Sequence, residues 1–199
     1  MDKRSLSPNG QEGLRWLEEG DSRQREIARQ LQSSGILTKL ADYSPSVAGT
    51  FPIGLDIPGS DIDLLCEVYD HRAFMEQMQV LFGEEPDFYT EQGRMNGEAY
   101  STVRFRLGEL PIELFGQGRP VSEQNGCRHM IAEYRLLAGD QPSALEDIRA
   151  LKLSGMKTEP AFAEYYGLLG NPYEVLYELS TSAEQELRQI VANKPRYIL

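Results

Sequence analysis

The eight residues Asp61-Ile-Asp-Leu-Leu-Cys-Glu-Val68 constrain the chain more than any others. They alternate with period two, so Ile62, Leu64, Cys66 and Val68 face one way while Asp61 and Asp63 face the other. That pattern is a half-buried strand with two carboxylates on one face, about 6–7 Å apart along the chain. Such carboxylates raise each other's pKa and repel, a cost that falls when a cation sits between them. Mg²⁺ suits the purpose, because it takes oxygen ligands in an octahedral array, commonly one or two carboxylates plus substrate phosphates.

The flanking pattern predicts an α+β (mixed α/β) fold. A 3.6-residue period runs through Leu14, Leu17, Ile27 and Leu31 and stops at Ser33-Ser34-Gly35, with a short helix over 36–41 after it. The chain turns extended over 44–50, and a loop rich in Gly and Pro spans 51–60. A helix over 71–82 buries Phe74, Met78, Leu81 and Phe82. Strands over 87–93, 100–107 and 111–115 follow, the last two joined as a hairpin at Gly108-Glu109. From Val121 onward the pattern is helical, over 122–138, 143–154, 160–167, 172–179 and 182–193. The expected organisation is an α/β core over 1–120 with a helical region over 121–199 packed on it as one unit.

A third carboxylate on a neighbouring strand would let two metal ions bind about 3.5–4 Å apart and flank an in-line displacement. Glu113 is the candidate, since alternation in Pro-Ile-Glu-Leu-Phe puts Ile112 and Leu114 on the core face with Glu113 opposite. Ordinary surface alternation competes with that reading. Upstream, Gly49 allows close backbone approach and Thr50 supplies a hydroxyl and an amide suited to a phosphate oxygen. The alternative for Thr50 is a strand-end hydroxyl that caps its own backbone. Ser60, beside the first aspartate, is a further candidate phosphate contact.

Charge narrows the partners. With 20 Lys and Arg against 31 Asp and Glu the formal charge is −11, the wrong sign for sequence-independent binding to a polyanion or an anionic membrane. The expectation is therefore no extended nucleic acid and no membrane partner. No apolar run reaches the roughly 18–20 residues of a spanning helix. The opening Met1-Asp2-Lys3-Arg4-Ser5 leads into polar residues, without a leader's apolar stretch. Two cysteines, Cys66 and Cys127, cannot form a disulfide scaffold. A soluble cytoplasmic protein is the expectation.

Together these residues resemble the nucleotidyltransferase superfamily, the fold of polymerase beta and of small antibiotic-adenylating enzymes. Its signature is a hydrophobic residue, Gly, then Ser or Thr, a spacer of about nine to thirteen residues, then Asp-x-Asp. Here Ala48-Gly49-Thr50 is followed by ten residues and then Asp61-Ile62-Asp63-Leu64. More narrowly, the chain resembles a bacterial family known only as a domain of unknown function. The likeness rests on Pro52-Ile-Gly-Leu-Asp-Ile-Pro-Gly-Ser-Asp61, Ile112-Glu-Leu-Phe-Gly-Gln117, Arg128-His-Met-x-x-Glu133 and Gly155-Met-Lys-Thr-Glu-Pro-Ala-Phe162. The resemblance implies that Asp61 and Asp63 hold Mg²⁺ or Mn²⁺, that Glu113 completes the site and helps activate the nucleophile, and that Gly49 and Thr50 cradle the phosphates of an NTP. The acceptor it implies is a small molecule or a protein of unknown identity. A catalytically inactive fold serving as a binding or regulatory module is the alternative. The spacer departs from the Arg-bearing one common in small transferases, since it carries Pro52, Asp56 and Pro58.

Other side chains have ordinary readings beside functional ones. Arg104 and Arg106 share a strand face, and a solvated face is the expectation unless the register sets Arg104 against Glu113. On the helix over 122–138, Gln124 and Arg128 share one face, and Asn125, His129 and Glu133 share another. His129 with Glu133 reads as a surface ion pair, with His129 as general base the competing role. Cys66 is packing, and His71 is expected to cap the helix it precedes. Lys152 and Lys157 are the basic residues of note in the tail. A helix break and restart with Thr158 or Glu159 near the N-cap is the preferred reading of the second stretch, and a phosphate-binding Lys157 is the competing one.

Overall fold

The computed structural model describes residues 12–195, so the reading of Met1 to Gly10 lies outside it. The opening period is two helices rather than one, α1 (Glu12–Glu19) and α2 (Ser22–Ser34). The break is local chemistry. Asp21 caps α2 by accepting from the Gln24 amide at 2.9 Å, while the Gln24 side chain accepts from the Asp21 amide at 2.9 Å. After α3 (Ile36–Lys39) and a 3₁₀ turn at Ala41–Tyr43, the chain enters strands β1 (Ser46–Ala48) and β2 (Ile62–Glu67). Helix α4 (His71–Phe82) buries Phe74, Met78 and Phe82 as expected, while Leu81 is only partly buried. Its cap is Asp70, which accepts from the Ala73 amide at 3.0 Å. His71 is instead the first helical residue, its Nδ1 2.9 Å from Ser101 Oγ, so the capping role assigned to it is corrected. The shorter aspartate, one residue earlier, reaches the free amides better.

Strands β3 (Tyr89–Met95), β4 (Glu98–Leu107) and β5 (Leu110–Gln117) complete a five-stranded sheet of order β1-β2-β5-β4-β3. Among the described residues only β2 and β5 run parallel, and the other neighbours pair antiparallel. The β4–β5 hairpin turns at Gly108-Glu109, with Gly108 at φ 60° as a tight two-residue turn of this hand requires. The rest is helical: a 3₁₀ turn at Val121–Glu123, then α5 (Asn125–Gly139), α6 (Ser143–Leu153), α7 (Thr158–Tyr166), α8 (Pro172–Leu179) and α9 (Glu184–Asn193). The fold is mixed α+β, as the pattern predicts.

Apolar side chains form two clusters. One joins Ile62, Leu64, Cys66, Ile112 and Leu114 to α2, α3 and α4. The other gathers Leu65 and Phe115 with Met130, Ile148, Phe162 and Leu176 of the C-terminal helices. Asp63 and Glu113 thus point to the side that the C-terminal helices cover. Among the described residues no helix is long and apolar enough to cross a membrane.

Cys66 and Cys127 are free and fully buried, and burial pushes both thiols up to about 12. Only the thiolate attacks a disulfide reagent. In the native protein at pH 7.5, Ellman's reagent should therefore label both at least about a hundredfold more slowly than in guanidinium. Rapid labelling of either thiol before unfolding contradicts this packing.

Candidate active site

The parallel register sets Asp63 opposite Glu113 and Ile62 opposite Ile112. Asp61 sits immediately before β2, and one carboxylate oxygen from each of Asp61, Asp63 and Glu113 lies within 4.8 Å of the others. Three hard oxygen donors at that spacing suit Mg²⁺ or Mn²⁺. The Asp63 carboxyl is held well above the usual carboxylate range, first by burial and then by Asp61 and Glu113. In the absence of a cation, these charges oppose one another.

β1 supplies the second part. Ala48 pairs with Asp63, which brings Gly49 beside the Asp63 side chain. Gly49 has φ 76°, and a Cβ there would lie 1.8 Å from Asp63 Oδ2. Only glycine combines that conformation with that approach. Gly49, Thr50, Asp63 and Glu113 line one cavity of about 330 Å³ together with Asn125 and Gly126 from the start of α5. Ser60 is not brought there. Its Oγ accepts from the Ile57 amide at 3.0 Å in the turn before Asp61, and it lines a separate depression with Arg106.

The loop between Thr50 and Asp61 is fastened from two sides. Gln24 Nε2 donates to the Phe51 and Pro52 carbonyls at 2.8 and 3.1 Å. From α6, Arg149 donates to the Gly54 carbonyl, and Lys152 Nζ donates to the Leu55 carbonyl at 2.8 Å. Lys152 is buried, which lowers its pKa against the pull of Glu133, Asp56, Glu159 and Asp63. Its ammonium therefore positions the loop by a main-chain bond. Lys157 takes the N-cap position of α7 without a side-chain capping bond. Asp56 is paired with Arg23 at 2.6 Å.

Two sequence expectations are corrected here. Arg104 is not simply solvated: the register pairs it with Glu113, and its Nε donates to Glu113 Oε2 at 2.6 Å. His129 and Glu133 are not a surface pair, because both are buried and both line the cavity. His129 Nε2 donates to the Tyr173 carbonyl at 2.9 Å, and Nδ1 lies 3.0 Å from Glu159 Oε1. Both ring nitrogens are engaged, so His129 has no free lone pair for an acceptor proton. Burial pushes the Glu159 carboxyl up, but its bond to His129 and its own backbone amide outweigh this and hold it below its ordinary value. Glu133, only 3% exposed, has no hydrogen bond or ion pair among the described residues. Burial and then Glu159 raise its pKa well above the usual range, against Lys152. Sequence periodicity set Glu133 beside His129 but carried no sign that α7 and α8 would cover both.

Residues 29–179 match the family described as a domain of unknown function (DUF4269). The chain belongs to that family. No curated protein significantly matches this DUF4269 chain. Among solved structures it is similar to the polymerase core of TRAMP, an RNA surveillance complex. The TM-score is 0.50 at 15% identity, over 79% of this chain and 49% of that one. It is also similar to the Cid1 poly(U) polymerase bound to MgATP, with TM-score 0.47 at 11% identity over 81% and 48% of the two chains. The GLD-2/RNP-8 complex gives TM-score 0.47 at 10% identity over 90% and 81%. The chain spans about half the length of the first two. The likeness to the TRAMP core shows the nucleotidyltransferase-like fold. The exclusion of extended nucleic acid drawn from net charge gains no support from it.

Two outcomes test this geometry. Gly49→Ala should lose about 1–3 kcal/mol in denaturant titration from left-handed strain alone. It should also weaken Mn²⁺ binding read by electron paramagnetic resonance, since the methyl displaces Asp63. For Glu133, the folded state keeps a proton that the unfolded chain releases above its ordinary pKa of 4.5. Metal-free stability should therefore fall as pH rises from about 4.5 toward the folded value. Glu133→Gln removes that contribution, so melting curves at pH 5 and 7.5 should differ less in the variant than in wild type.

Proposed function

We propose that this chain is a divalent-metal-dependent nucleotidyltransferase that moves a nucleoside monophosphate from an NTP to an acceptor. One observation carries the reading: Asp61, Asp63 and Glu113 converge within 4.8 Å, and two of them, Asp63 and Glu113, line a cavity that the start of α5 also lines. Bound there, Mg²⁺ or Mn²⁺ would stabilise the attacking and leaving oxygens of an in-line displacement. Asp61 and Asp63 serve as ligands. Gly49 gives the Asp63 carboxylate room, and Thr50 offers a hydroxyl to the phosphates. The first amides of α5, at Asn125 and Gly126, present the positive end of a 15-residue helix to the same space. An acceptor oxygen attacks the α-phosphorus, its proton passes to Glu113, and the α–β bond breaks with loss of pyrophosphate.

A binding module without catalysis is favoured by one observation, the Arg104–Glu113 ion pair, which already engages one of the three carboxylates. Thermal-shift titration with ATP, GTP, CTP and UTP plus Mg²⁺ or Mn²⁺ separates the readings. The transferase reading expects at least one triphosphate to stabilise wild type only with metal, with that gain lost in Asp61→Asn and Asp63→Asn. No metal-dependent stabilisation in wild type, but a gain in Arg104→Ala, identifies a site closed by its own arginine.

A further inference from the structure

The cavity has a second acidic wall that the metal site does not use. Glu133 from α5 and Glu159 from α7 line it together with Asp63 and Glu113. The nearby cations are committed. His129 is bonded to Glu159 and the Tyr173 carbonyl, Arg104 to Glu113, and Lys152 to the Leu55 carbonyl. Glu133 alone is left, 97% buried by its 3% exposure, unpartnered among the described residues, and lining the cavity. Removing a carboxylate from water costs several kcal/mol unless a proton, a cation or good donors compensate. A structural carboxylate would have a bonded partner in its own fold. Glu133 instead lines a cavity.

We infer that this helical wall is the acceptor subsite and that Glu133 receives the ammonium group of a small, amine-bearing acceptor. The inference rests on the transferase reading for the word acceptor, but the subsite itself stands on the helical wall. The wall's charge gives the direction of selectivity. Once divalent cations and phosphates neutralise Asp61, Asp63 and Glu113, Glu133 is the carboxyl on this wall left without a bonded partner, and on giving up its proton it favours a cation over a phosphate backbone. The shift in its pKa agrees, because a carboxyl that retains a proton in the empty site will exchange it for an ammonium partner.

The test uses matched probes on the full chain. Glucosamine and glucose differ at one amine, and putrescine supplies the amine without the sugar. Calorimetric titration at 0.15 M salt should show glucosamine and putrescine binding to wild type and glucose binding at least tenfold more weakly. Glu133→Gln should lose at least tenfold for both amines while keeping wild-type circular dichroism. Glu109→Gln removes an equal charge from a fully exposed position and should change nothing. Glucose binding as well as glucosamine, no amine binding to wild type, or equal amine binding by Glu133→Gln would each overturn the subsite. If Glu133→Gln unfolds, Glu133→Asp replaces it. Aspartate keeps the charge but is one methylene shorter, and a loss of amine binding with intact spectra supports the subsite, whereas undiminished binding overturns it. Amine binding that depends on Glu133, in a protein that no metal–triphosphate pair stabilises, retains the subsite and removes the transferase reading.

Discussion

The parallel pairing of β2 with β5 is the constraint on which the rest of the structure depends. It sets Ile62 against Ile112 and Leu64 against Leu114 on one face, and Asp63 against Glu113 on the other. A slip of one residue would turn the four apolar side chains out of their cluster and the carboxylates into it. The hydrophobic effect therefore fixes the acidic site indirectly. Burying Ile62, Leu64, Ile112 and Leu114 is what holds two repelling carboxylates side by side.

Other features protect that arrangement. β1 pairs with β2 so that a glycine, rather than a side chain, meets Asp63. The loop from Thr50 to Asp61 is long enough to wander, but Gln24 holds its first half while Arg149 and Lys152 hold its middle. Each of these bonds ends on a main-chain carbonyl, so the loop is positioned by its backbone path. The lysine's burial is tolerable because four acidic side chains surround it at longer range.

Much of this was legible in the sequence for one reason: local patterns with short periods reflect local geometry. Strict alternation located β2, β4 and β5, and the apolar spacing in 71–82 located α4. The split of α1 from α2 required recognising that Asp21 and Gln24 form a capping box, a signal weaker than the apolar period running past it. At the start of α4, Asp70 and His71 stand side by side, and the apolar period does not distinguish which of them caps the helix. His129 and Glu133 show a different limit. Their i,i+4 spacing is the same on an exposed helix and on one roofed by α7 and α8, and periodicity cannot tell which helix will cover another.

The sequence by itself determined the strand that follows Asp61 and carries Asp63, the Gly49-Thr50 pair before it, the acidic residue amid the apolar β5, and the mixed α+β class. Each is written within a few residues, where covalent geometry and side-chain alternation decide the outcome. Only the tertiary structure decided that Glu113 would pair with Arg104, that Ser60 would stay in its turn, and that an unpaired Glu133 would face the acidic strands. Those outcomes depend on register and on helices far apart in the chain. They are set by the packing of whole elements around two apolar clusters, which no short stretch of sequence specifies alone.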